Sequence, residues 1–136
     1  MIEEVMFHLK NNIKTKIGVS PIDGVGVVAI KDIEELECVF PVWIHKSGIY
    51  AIPNHRLSEI PKEVLDLMNM YFTNEDCGYK GIRLFEGLNF LFNPLSYSNS
   101  SWPNSLDTNV DSNGFATKNI KAGDEILLWY DYRRSQ

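Results

Sequence analysis

Two stretches of this chain carry residue types that could do chemistry. Gly24-Val25-Gly26 sits where a turn meets an apolar run. Glycine there lets the backbone approach a ligand closely and take up positive φ. The same pair of glycines also suits a plain hairpin, because the third glycine and following helix of a dinucleotide fingerprint are missing. The other stretch is Ala116 to Tyr132, whose aromatic-dense end carries Trp129, Tyr130 and Tyr132. A tyrosine hydroxyl both donates and accepts hydrogen bonds, but a strand this aromatic also fits a core. His8, His45 and His55 are scattered and gain no role from their spacing. Cys38 and Cys77 form no CxxC pair, so neither a zinc site nor a disulfide framework is expected.

The elements that must position these residues read as mostly β. Ile13 to Val19 alternates apolar and polar residues, the period of a half-buried strand. Ser20-Pro21-Ile22-Asp23-Gly24 reads as a turn, and Val25 to Ile30 as the returning strand. Cys38 to Ile44 is a further β-prone run, pushed toward an edge or bulge by Pro41. One central helix is expected from the stripe Ile60, Val64, Leu67, Met68 and Tyr71, with Pro61 in its first turn. Leu88 to Phe92 is a short apolar segment, and residues 93–113 are polar and turn-rich. Phe115 to Ile120 and Glu125 to Tyr130 read as closing strands around the turn Lys121-Ala122-Gly123-Asp124. Ala29-Ile30-Lys31-Asp32-Ile33 echoes Ala116-Thr117-Lys118-Asn119-Ile120, too briefly to count as a repeat.

Composition bounds the function. The 136 residues suit a single domain spanning 1–136, and 44% apolar with 23% charged residues is globular rather than disordered. No run is apolar and long enough to span a bilayer, and the early acids Glu3 and Glu4 do not fit a signal peptide. An intracellular protein is expected, cytoplasmic, or nuclear in a eukaryote. A net charge of −5 disfavours direct binding to nucleic acid and suits a basic protein partner, although mild acidity also serves solubility.

Order and spacing sharpen this reading. Lys16 to Ile33, KIGVSPIDGVGVVAIKDI, resembles the opening strand pair of SET domains, in which a Ser-Pro and a G-x-G precede a basic-Asp-Ile. Ala116 to Tyr130 resembles that family's closing segment, A-T-x-x-I-x-x-G-E-E before an apolar strand ending in tyrosine. Leu127-Leu128-Trp129-Tyr130 is similar to the ending of its PR subclass. The resemblance implies a mainly β fold of short curved sheets around a threaded, knot-like C-terminus. It implies a protein-lysine N-methyltransferase using S-adenosylmethionine, with a lysine-containing protein as partner and no metal. The backbone of Gly24, Val25, Gly26 and Val27 would hold the methionine end of the cofactor. Tyr130 would be the catalytic tyrosine, and Trp129 and Tyr132 would flank the lysine channel.

The family's Asn-His-Ser-x-x-Pro-Asn string is absent, and three frames stand in for it. They are Asn93 to Asn99, Ser98 to Asn104, and Pro103 to Asn109. The first follows an apolar segment and is preferred. It gives Asn93 to cofactor binding and puts Pro94 in the place of the histidine, where a proline has no N–H to offer adenine. The eroded string also keeps open a catalytically inactive SET-fold module that binds protein.

Overall fold

The chain enters through a helix outside the expected central one. Val5, Met6 and Leu9 fall at helical spacing on one stripe and are buried, and with them α1 runs over Ile2–Asn11. Asn12 ends it, its N–H donating to the His8 carbonyl at 2.8 Å. The computed structural model describes residues 1–72, 78–90, 94–102 and 104–129. These form short sheets, few helices and much irregular chain. Packing divides the chain into two compact units, Met1–Ile13 with Pro41–Phe92 and Lys14–Phe40 with Asn93–Gln136.

The first unit holds α1, the antiparallel strands β3 (Gly48–Pro53) and β4 (Tyr79–Leu84), and the expected helix, α2 (Lys62–Tyr71). Ile60, Val64, Leu67 and Met68 are buried as their spacing requires, whereas Tyr71 ends the stripe 49% exposed. Ile52, Ile82 and Leu84 form the inner face of the β3–β4 pair. Lys80 shares that face with its stem buried, and its ammonium donates to the Phe72 carbonyl at 2.8 Å. The expected strand from Cys38 to Ile44 does not form. Only Cys38 makes a bridge, to Phe115, because Pro41 has no N–H to continue a ladder. Beyond it Trp43 exchanges backbone bonds with Leu88 and Gly87, at 2.8 Å each.

His8 is buried against Trp43, with ring centroids 5.3 Å apart. Its Nε2–H donates to the Asn89 carbonyl at 2.7 Å, and Asn12 Nδ2 donates to its Nδ1 at 3.1 Å. Both nitrogens are therefore satisfied by a neutral ring. Burial, and secondarily the nearby His45, push its pKa below 6.5 despite the Asn89 bond. A group depressed in this way stabilises the fold above its unfolded pKa and loses that contribution as pH falls. Melting temperature should therefore drop as pH is lowered from 7.5 to 5, and His8→Gln should flatten that step. A carboxylate does not mimic it: Glu59 is held down to about 2 by Arg56 and Lys10, so its step lies at much lower pH. A variant with the wild-type pH profile would remove His8 from this account.

In the second unit β1 (Thr15–Val19) and β2 (Val25–Ala29) pair antiparallel, with Gly18 opposite Gly26. The expected turn joins them, closed by the Ser20 N–H on the Gly24 carbonyl at 3.1 Å, with Gly24 at φ 41°. In an antiparallel ladder, bonding directions alternate along the strand. The Ser20–Gly24 bond thus leaves Val25, Val27 and Ala29 facing away from β1. The closing segment meets them there. Ile126 N–H donates to the Val27 carbonyl, Gly123 N–H to the Ala29 carbonyl, and Ala29 N–H to the Asp124 carbonyl, at 2.8–2.9 Å.

The two expected closing strands are reduced to single bridges and to β6 (Leu127–Leu128), which runs parallel to β5 (Asn99–Ser100). Ala116, Ile120 and Glu125 each bridge a different partner, Val110, Ile33 and Val28, so no continuous ladder develops. The turn over 121–124 does form, with Gly123 at φ 95° and Lys121 N–H on the Asp124 carboxylate at 3.0 Å. Ile33 and Ile120, equivalent positions of the sequence echo, exchange two backbone bonds of 2.8 Å. The core of this unit gathers Val27, Ala29, Ile33, Val39, Phe40, Val110, Ala116, Ile120, Ile126 and Leu128. Each large side chain here contributes about 1.5–3 kcal/mol by burial.

Candidate functional site

The β1–β2 hairpin brings the glycine motif against the closing segment. Gly26 does not need glycine for its φ; it needs it for space. A Cβ there would lie 2.6 Å from Glu125 Oε2, 2.9 Å from Asn99 Nδ2 and 2.9 Å from the Ser20 Cβ. Ser20 Oγ–H donates to the Glu125 carboxylate at 2.8 Å. Asn99 Nδ2 donates to Glu125 Oε2 at 2.9 Å and to the Val25 carbonyl at 3.0 Å. The close approach that Gly26 permits is thus made by the chain's own side chains.

The other motif residues take different places. Gly24 has open space where a Cβ would point, and Val25 is 52% exposed at the hairpin end. Val27 sends its side chain into the core and its carbonyl to Ile126. The Gly24 and Val25 carbonyls each accept one bond and keep a second lone pair. They point opposite ways, the Gly24 carbonyl toward β1 and the Val25 carbonyl toward Asn99.

Pro94 is buried at the start of a 3-10 turn, Pro94–Tyr97, that packs on β1 and β2, and Leu95 lies against the core. Trp129 is half exposed. Asn93, Tyr130 and Tyr132 lie outside the described residues.

Sequence reasoning gave no role to Ser20, Asn99, Asn109 or Glu125. Asn109 clamps the closing segment: its Nδ2 donates to the Glu125 carbonyl and its Oδ1 accepts from Leu127 N–H, both at 2.8 Å. The signal was partly present, because Asn99 closes the preferred frame for the missing string, Asn109 closes the third, and Glu125 ends the Gly-Asp-Glu triplet.

Among the described residues no cluster of His, Cys, Asp or Glu could hold a metal, and no helix is long and apolar enough to cross a membrane. The first unit has a cavity of about 410 Å³ lined by Phe7, Val42, Trp43 and Ile44 with Glu3 and Glu4 at its rim. Glu3 is paired with Arg56 and Glu4 with the chain's amino group, so neither rim carboxylate is without a cation.

No family model matches the chain, and no curated protein matches it. Solved structures similar to it include a Plasmodium falciparum protein whose description as a histone methyltransferase is provisional. The two are 25% identical, with 88% of this chain and 94% of that one covered and a TM-score of 0.39. Another is the methyltransferase domain of human PR domain-containing protein 2, at 17% identity, 88% and 78% coverage and a TM-score of 0.43. Likenesses this loose carry no residue role or activity across.

Proposed function

We propose that this protein is a SET-type protein-lysine N-methyltransferase that uses S-adenosylmethionine. The observation that carries the reading lies within the chain itself. The two blocks that resemble the family's opening and closing segments, Lys16 to Ile33 and Ala116 to Tyr130, meet along β2, and Glu125 reaches the slot at Gly26. When bound, S-adenosylmethionine supplies an electrophilic methyl group on a positively charged sulfur. The backbone of Gly24, Val25, Gly26 and Val27 would hold its methionine end, with the Val25 carbonyl toward the ammonium. Asn93 would help bind the cofactor, and Pro94, lacking an N–H, would leave the adenine without a backbone donor there.

The substrate amine must be neutral to react. From a reference pKa of about 10.4, this costs about 4.6 kcal/mol at pH 7. A dry lysine channel, to which the family resemblance assigns Trp129 and Tyr132, would lower that cost by disfavouring the ammonium. The Tyr130 hydroxyl would orient the amine, and holding the reactants in place would supply the remaining advantage. The chain's −5 charge suits a lysine-rich, basic protein substrate inside the cell.

One observation favours a second reading, a SET-fold module that binds protein without catalysis. The carbonyls of Gly24, Val25 and Val27 all have partners within the chain already. Thermal unfolding with S-adenosylmethionine separates the two. Ligand at about 100 times its dissociation constant stabilises the native state by about 2.7 kcal/mol, on the order of 10 °C for a chain of this size. Such a shift, absent with adenosine, is expected for the enzyme. An unchanged melting temperature at millimolar ligand would transfer the case to the binding module.

A further inference from the structure

The edge of β2 that faces the closing segment changes its kind of partner along its length. At Val27 and Ala29 the partners are backbone groups of Gly123, Asp124 and Ile126. The ladder stops there because Leu127 and Leu128 turn to pair with β5. One step further, at Val25, the partner of the carbonyl is the Asn99 side chain. Asn99 belongs to β5 and lies opposite Leu127, so the strand that draws the closing segment away also returns a donor to β2.

The amide orientation of Asn99 is determined. Both its Nδ2 hydrogens are used, one on Val25 and one on Glu125. A flipped amide would set its oxygen against a carbonyl and a carboxylate. Glu125 is fixed in turn by the Ser20 hydroxyl, and the bare Gly26 gives both side chains room.

We infer that Asn99 and Glu125 are positioning residues: together they set the direction of the Val25 carbonyl and so the affinity of the hairpin end for the ammonium of its ligand. The inference rests on the cofactor reading above for its ligand, but its structural part can be read without one. Asn99→Ala removes the donor. Glu125→Gln keeps the volume and removes the carboxylate that holds the donor.

The test has two readouts on wild type and both variants. One is amide hydrogen exchange without ligand; the other is the S-adenosylmethionine dissociation constant by calorimetry. Exchange at residues 24–27 is expected to rise at least tenfold in either variant, with Ile33 and Ile120 unchanged, and the dissociation constant to rise at least tenfold. The double variant should be no worse than either single one, because both act through one contact. Unchanged exchange at 24–27, or a rise spread over the whole unit, overturns the inference. So does an unchanged dissociation constant when wild type binds. If wild type binds no S-adenosylmethionine, the enzyme reading fails by itself. Local exchange then upholds or overturns the positioning of the carbonyl alone.

Discussion

Gly26→Ala is expected to destabilise the second unit by about 3 kcal/mol, seen as a fall in melting temperature on the order of 10 °C. Backbone strain is not the reason. The added methyl would sit 2.6 Å from a Glu125 oxygen and 2.9 Å from both Asn99 Nδ2 and the Ser20 Cβ. Overpacking of this kind costs about 1–3 kcal/mol. Moving Glu125 aside also breaks hydrogen bonds to a charged group, each worth about 1.5–3 kcal/mol. Gly24→Ala makes the control. It meets open space and bears only the strain of φ 41°, about 1–2 kcal/mol. Equal losses at the two glycines would mean that the Gly26 slot is not as tight as described.

Asn109→Ala should have a comparable effect for another reason. Its amide satisfies the Glu125 carbonyl and the Leu127 N–H, where the closing segment has no strand partner to do so. Removing it leaves two backbone groups without their bonds, at about 1–3 kcal/mol each where they are shielded from water. Asn109→Asp keeps the acceptor for Leu127 but sets a carboxylate oxygen against the Glu125 carbonyl, and should not rescue. Urea unfolding of both variants measures this. A loss below about 1 kcal/mol for Asn109→Ala, the size of an ordinary surface change, would show that water replaces the amide there.

The sequence made the β1–β2 hairpin, the turn at 121–124 and α2 legible, because each rests on a local rule: period-two alternation, a glycine at positive φ, or a helical stripe. It hid α1, although Val5, Met6 and Leu9 follow the same helical rule, because these three positions in ten residues give the period too few turns to stand out. It hid β3 and β4 because each is a short run whose pairing partner lies across α2. The site divided in the same way. Gly24-Val25-Gly26 stands out as a motif, and the family resemblance alone gives it and Val27 a cofactor role. Asn99, Asn109 and Glu125 were not assigned roles, because those depend on backbone groups far away in sequence, which no spacing rule reports. The closing strands were overread: Ala116, Ile120 and Glu125 have the apolar and β-prone neighbours of strands but meet a different partner at each step.

The interleaving of the two units has a consequence for how the chain is made. Neither unit is a continuous stretch, and the open edge of β2 waits for residues 123–126 to supply its partners. On the ribosome, Val25–Ala29 must therefore emerge and remain an unpaired strand edge while most of the chain is still being synthesised. Such an edge is a template for wrong pairings, and contacts of this long sequence separation form slowly. The nascent chain should depend on protection from aggregation until residue 126 has left the exit tunnel, and its yield should be more sensitive to translation rate and temperature than its size alone would suggest.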